Sequence, residues 1–177
     1  FSANNRTVYC KGEVYFDVTR NPESPFIVKL DKGEVTVLGT EFCTSDYESS
    51  MVEVTLVTGK IRFKAENGDS VSLAPSQHLA YNTTTDSISV TTVNTRIYTA
   101  WRDNLFCFEY ETLENIMRTL SRWYNVDIKF ESEDLKKRHF SGTMEKYSEI
   151  KSFLELFETG TGIKFDIKDP GAHHNSS

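Results

Sequence analysis

The run ETGTGIKF, residues 158–165, comes nearest of any in this chain to a ligand-binding spacing. Two glycines flanking a threonine can form a loop whose bare amides cradle a phosphate. Such loops lead from a strand into a helix, so that the helix N-terminus aims its free N–H groups at the anion. Here the order is reversed. The glycines follow Ile150, Phe153, Leu154 and Phe157, which have helical spacing, and precede the alternating Ile163, Phe165 and Ile167. That order presents carbonyls and the negative end of the helix dipole. Gly160 is expected as the C′ residue that stops the helix, with Gly162 relaxing the turn into Ile163. The glycines are punctuation, not a phosphate site.

The other chemistry-bearing residues are scattered. His173 and His174 sit in a polar tail, AHHNSS, and His78 lies between Gln77 and Leu79 in a turn or strand edge. A Cys107–His139 pair is geometrically conceivable, because both residues lie on expected strands of the second half. Cys107 lies inside LFCFEY, however, and apolar surroundings raise a thiol pKa and make it inert. The sequence contains no GxSxG, HExxH or EF-hand pattern, and its carboxylates fall on the polar faces of alternating runs. No catalytic residue, cofactor or metal is expected. Cys10, Cys43 and Cys107 lie in no CxxC motif, and whether Cys10 and Cys43 pair is left open.

Bulk properties narrow the class further. The chain has 177 residues, 38 % hydrophobic and 26 % charged, a folded and not a disordered composition. Nine basic against twelve acidic residues in 1–100, and eleven against fourteen in 101–177, leave each half at −3. Neither half concentrates the positive charge that phosphate backbones require, so no nucleic acid is expected as a direct partner. The basic run Lys136-Lys137-Arg138 follows Glu131, Glu133 and Asp134 and reads as a solvated loop. No apolar stretch approaches the roughly 18–20 residues that span a bilayer.

The elements divide into two rhythms. From residue 8 to about 98 the period is two: Val14, Phe16 and Val18; Phe26, Val28 and Leu30; Val52, Val54 and Leu56; Ile61, Phe63 and Ala65. Asn67-Gly68 between two such runs signals a hairpin with positive φ at both turn residues. This half is expected to be an all-β domain of about eight to ten short strands, a β-roll of solenoid- or sandwich-like form. Near Trp101 the rhythm changes. Leu113, Ile116, Met117 and Leu120 fall on one helical face, with Thr112 as N-cap and Asn125 closing the helix. A strand at 105–110 precedes this helix, and Val126, Ile128 and Phe130 alternate after it. The pattern repeats with strand 139–145, N-cap Ser148, the 150–157 helix and Ile163 to Ile167. That is βαβ twice, a split α+β sandwich.

A chain without a reactive cluster is built to present surfaces. The βαβ-βαβ unit should leave sheet edges open to strand addition, a recurrent recognition mode. The expected edges, and the candidate partner-binding residues, are Val126, Asp127, Ile128 and Lys129, and Lys164, Phe165, Asp166 and Ile167.

GEVYFDV, PFIVKL, GEVTVLGTEF and VEVTLVTGKIRF together resemble the periplasmic region of FecR-family anti-sigma regulators. The residues matching that family's motifs are Gly12, Glu13, Phe16, Pro25, Phe26, Leu38, Gly39, Thr40, Phe42, Leu56 and Gly59, read as fold residues. Trp101, the Leu113 to Leu120 helix, RWYNVDIKF, FSG and GTGIKF resemble the C-terminal module of the same family, itself similar to the short secretin/TonB N-terminal domain. The likeness implies domains at 1–100 and 101–169 and a disordered tail at 170–177. The first domain is expected to be truncated at its N-terminus, because the Leu-Pro-Asp-Gly-Ser/Thr and Trp-Leu-Asn segments of the family are missing before Phe1. Pro75-Ser76 stands where the family tends to have Pro-Gly, which argues for a type I turn.

What the resemblance implies is a non-enzymatic signal transducer. The chain would be the periplasmic part of a single-pass inner-membrane protein of a Gram-negative bacterium. Its partners would be the N-terminal signalling domain of a TonB-dependent outer-membrane transporter and an extracytoplasmic-function sigma factor. The sigma factor would be held by a cytoplasmic segment, and the membrane reached by an upstream helix, neither in this chain. A structural or adhesive surface protein is one alternative. A carbohydrate-binding module is another, motivated by Trp101, Trp123 and Tyr124, and requires at least one of these rings to be exposed beside polar side chains.

Overall fold

The computed structural model describes residues 6–48, 50–147 and 149–167. The expected N-cap Ser148, the histidines of the tail and the tail at 170–177 lie outside the described residues. Contacts divide the chain into two units, 1–99 and 100–177.

Among the described residues the first unit holds ten strands. They are β1 (Arg6–Tyr9), β2 (Gly12–Val18), β3 (Phe26–Leu30), β4 (Gly33–Val37), β5 (Thr40–Glu48), β6 (Met51–Thr58), β7 (Ile61–Ala65), β8 (Ser70–Leu73), β9 (Gln77–Asn82) and β10 (Ser87–Thr92). They form two five-stranded sheets, ordered β1-β3-β4-β7-β8 and β10-β9-β6-β5-β2. Every pairing is antiparallel except β1 with β3. Period-two alternation aims one side chain in two at the shared core, where Val28, Val35 and Phe63 of one sheet meet Phe42, Val54, Leu56 and Leu79 of the other, all fully buried. Burying each such side chain stabilises the fold by about 1.5–3 kcal/mol relative to leaving it exposed. The helical turn α1 (Arg96–Thr99) closes the unit.

Two turns differ from expectation. The Asn67-Gly68 hairpin between β7 and β8 forms, but only Gly68 has positive φ, at +97°. Gly68 N–H donates to Ala65 O at 3.0 Å and Ala65 N–H to Asp69 O at 2.8 Å, a turn followed by a glycine bulge in place of the two-residue loop. At Pro75-Ser76, Ser76 takes φ +66°, and Gln77 N–H reaches Ala74 O at 3.1 Å. That is the type II geometry, not type I. Ser76 is held there from both sides, its N–H on Leu56 O at 3.0 Å and its carbonyl on Val93 N–H at 2.9 Å.

The family-motif residues act as packing devices. A Cβ on Gly39 would lie 2.5 Å from Arg20 Cα. Gly59 has φ +94°, and a Cβ there would lie 2.7 Å from Gly39 O. Thr40, buried between these glycines in space, donates its hydroxyl to Lys60 O at 3.0 Å.

The second unit begins with a 3-10 turn at Ala100–Asp103, followed by β11 (Leu105–Thr112) and α2 (Leu113–Tyr124). Next come α3 (Glu133–Lys136), β12 (His139–Glu145) and α4 (Ile150–Thr161). Helix α2 is capped as expected: Thr112 accepts Asn115 N–H, and Asn125 closes the helix at φ +50°. Leu113, Ile116, Met117 and Leu120 are buried against Phe106, Phe108, Phe153 and Phe157. Helix α4 runs one turn longer than expected. Gly160 stays helical and Gly162, at φ +73°, is the cap. The hydroxyls of Thr159 and Thr161 donate to Glu155 O and Phe157 O, at 2.9 and 2.7 Å, and tie the last turn down.

The repeated βαβ pattern is only half realised. Among the described residues β11 and β12 pair antiparallel as a two-stranded sheet, and neither 126–130 nor 163–167 is a strand. The first strand of each expected repeat forms; the segment after each helix is extended without ladder pairing.

Candidate partner-binding surface

The eight expected edge residues therefore do not lie on a sheet edge. Their alternation is nonetheless real. Val126, Ile128 and Phe130 are half-buried while Asp127 and Lys129 are exposed, and Ile163 is buried while Lys164 and Asp166 are exposed. Ile128, Phe130, Ile163 and Phe165 pack on the second unit's core. Period two selects which side chains face the core but does not require that the backbone find a neighbouring strand.

Side chains and helix ends satisfy the backbone where a ladder would otherwise do so. After α2, Val126 N–H donates to Ser121 O at 3.2 Å and Ser121 Oγ donates to Val126 O at 2.5 Å. After α4, Phe165 N–H donates to Glu158 Oε1 at 2.7 Å, and Lys164 Nζ reaches Glu158 Oε2 at 3.2 Å. The Phe165 amide, and then the Lys164 ammonium, hold the Glu158 carboxyl below its usual pKa. Ile163 N–H donates to Thr161 Oγ1 at 3.3 Å. Ile167 ends the segment more than half exposed.

The geometry adds a residue that the sequence reading passed over. Tyr110 lies at an irregularity in the β11–β12 ladder between Phe108 and Glu111, with φ +48° and 76 % exposure. Its amide donates to Ser141 Oγ at 2.7 Å and its ring stacks on His139 at 4.4 Å. An irregular ladder position that turns an aromatic ring outward is a common way to present a contact. The only sequence signal was an aromatic between two glutamates in FEYE, which ordinary alternation also explains.

The catalytic and sugar-binding alternatives fare differently from their premises. Cys107 sits opposite Thr143 and bonds its hydroxyl at 3.2 Å, whereas His139 sits opposite Thr112 at the other end of the two-stranded sheet. The pair is not brought together. Trp123 is half-buried with its ring edge-on to Phe106 at 5.0 Å and under Lys146 Nζ at 4.7 Å. Tyr124 donates its hydroxyl to Tyr147 O at 2.7 Å, and Trp101 is half-buried. None of the three is an exposed ring. Cys10 and Cys43 are free thiols. Cys10 packs against the sandwich core and touches Thr44 Oγ1 at 3.5 Å, while Cys43, next along the strand, faces the opposite side of the sheet. Burial pushes the Cys43 thiol up to about 12. Among the described residues no group of three or more His, Cys, Asp or Glu is placed to hold a metal, and no helix is long and apolar enough to cross a membrane.

Comparison with known proteins places these units in context. The family model described as FecR protein matches residues 1–62, and the one described as FecR, C-terminal, matches residues 105–171. Two crystal structures of a candidate anti-sigma factor from Parabacteroides distasonis, at 1.65 and 2.50 Å resolution, are similar to the chain with TM-scores of 0.80 and 0.79. Each is 25 % identical; the alignment covers 96 % of this chain and 79 % of the other. A search of curated proteins found no match.

Proposed function

Because the chain belongs to the FecR family of sigma-factor regulators, we propose that its two units are the periplasmic sensing part of a membrane-anchored anti-sigma protein. In this reading they relay the state of a TonB-dependent outer-membrane transporter to an extracytoplasmic-function sigma factor by protein–protein binding. The observation that carries it is the coincidence, on one chain and in order, of both FecR matches with a fold similar to that of a candidate anti-sigma factor.

The second unit is the receiving surface. Its exposed features are Tyr110 at the irregular position of the β11–β12 pairing and the segments 126–129 and 164–167, whose polar side chains and Ile167 face solvent while Ile128 and Phe165 pack on the core. Docking there would be a surface event without bond chemistry, in keeping with a regulatory family. The test is a pull-down of this chain against the signalling domains of transporters encoded by the same organism. Capture of one such domain at micromolar concentration supports the relay; capture of none removes it.

A further inference from the structure

The outer face of the second sheet carries a buried polar cluster that the reading above does not use. Cys43, Thr55 and His78 are 5 %, 1 % and 7 % exposed, although they point away from the apolar core. What covers them is the segment 93–99, which leads out of the first unit. The His78 ring stacks on the Tyr98 ring at 4.4 Å and 23°. His78 Nδ1 is 2.8 Å from Thr55 Oγ1, Thr55 faces Cys43 across the β5–β6 ladder, and Cys43 Sγ donates to Tyr98 O at 3.5 Å. The contacts close a ring: Tyr98, His78, Thr55, Cys43 and back to Tyr98. The Glu53 carboxylate lies 3.5 Å from His78 Nε2 at its margin.

We infer that 93–99 is a releasable strap, held on the sheet by this ring of contacts and able to lift without unfolding the sandwich. Two observations argue for release. Helix α1 is a single turn with no buried residue, and the contacts that hold it include the stacked ring, the thiol contact and the Val93 N–H bond to Ser76 O. Two of the three side chains beneath it, Thr55 and His78, are polar and can be wetted at little cost, whereas the main apolar core of the unit lies on the far face of the same sheet and stays covered. A strap over an apolar patch would be locked; this one is latched. The inference concerns this chain alone and stands whether or not a transporter is the partner.

Hydrogen exchange and trypsin digestion on the full chain test it. The Ile97 and Tyr98 amides, bonded to Asn94 O and Thr95 O, should exchange at least about tenfold faster than those of β6 and β9. Tyr98→Ala and His78→Ala should each speed cleavage after the exposed Arg96 roughly threefold to tenfold, and the double variant should add nothing. Cleavage after Arg62, in β7, should not change. Exchange of 97–98 at the rate of the sheet, an unaltered Arg96 rate in Tyr98→Ala, or acceleration at Arg62 in step with Arg96 would overturn the strap.

Discussion

The Glu158 carboxylate and the Phe165 amide meet at 2.7 Å, so the segment that follows α4 is tied by a side chain where a sheet would use a neighbouring strand. The bond draws its strength from charge, because a carboxylate accepting a backbone N–H is favoured over the protonated acid.

Its pH dependence follows. The folded pKa of Glu158 lies below the usual glutamate value, so its contribution is complete above the unfolded value and is lost as pH falls through the depressed folded one. Glu158→Gln should lower the thermal midpoint of the second unit at neutral pH, and the gap to wild type should close as pH falls through the depressed folded value. A constant offset between the two melting curves from pH 7 to 3 would show that charge is not what holds the segment.

Gly59 combines φ +94° with a backbone neighbour 2.7 Å from where a Cβ would stand. Gly59→Ala should cost about 2–4 kcal/mol, from the left-handed backbone and the displaced Gly39 carbonyl together. Urea unfolding followed by tryptophan-independent far-UV circular dichroism reads this directly; a loss of a few tenths would mean that the β6–β7 turn is loosely held.

Ser76 is the reverse case, a side chain where glycine fits better. With φ +66° at the third position of a type II turn, Ser76→Gly should raise stability by about 0.5–1 kcal/mol, net of the glycine's extra unfolded-state freedom. A destabilised variant in the same denaturant titration would contradict the turn geometry.

Thr112 accepts Asn115 N–H at 3.2 Å and starts the helix that carries the second unit's core. Thr112→Ala should destabilise that unit by about 1 kcal/mol, and Thr112→Ser by much less. Differential scanning calorimetry of both variants separates loss of the cap from loss of the side-chain methyl.

How much of this was readable before the coordinates depends on how local each signal is. Helix α2 was legible end to end, because Thr112, the apolar stripe and Asn125 all act within a turn of themselves. The alternation of Ile128, Phe130, Ile163 and Phe165 was legible as burial but not as pairing, since the bonds of Val126 to Ser121 and Phe165 to Glu158 satisfy the backbone without a strand. Residue preference misjudged Ser76, where distant carbonyl and amide partners in Leu56 and Val93 hold a conformation that serine does not favour. It misjudged Gly160 because the Thr159 and Thr161 hydroxyls extend the helix past it. The burial of Cys43 and His78 was out of reach of any local rule, since the cover comes from Tyr98, 55 residues from Cys43 in sequence. The solvent-facing edge residues were named without any signal that identifies a partner, and Tyr110 was hidden inside what reads as regular strand.

The central claim is that the second unit docks a transporter signalling domain through its extended segments. Calorimetric titration of the full chain with the domain captured in the pull-down tests it most directly, comparing wild type with Lys164→Pro and with Glu133→Pro at the first position of α3, where proline is tolerated. The account predicts saturable micromolar binding, weakened at least about tenfold by Lys164→Pro and unchanged by Glu133→Pro. No heat of binding in the wild type, or equal losses in the two variants, would contradict it.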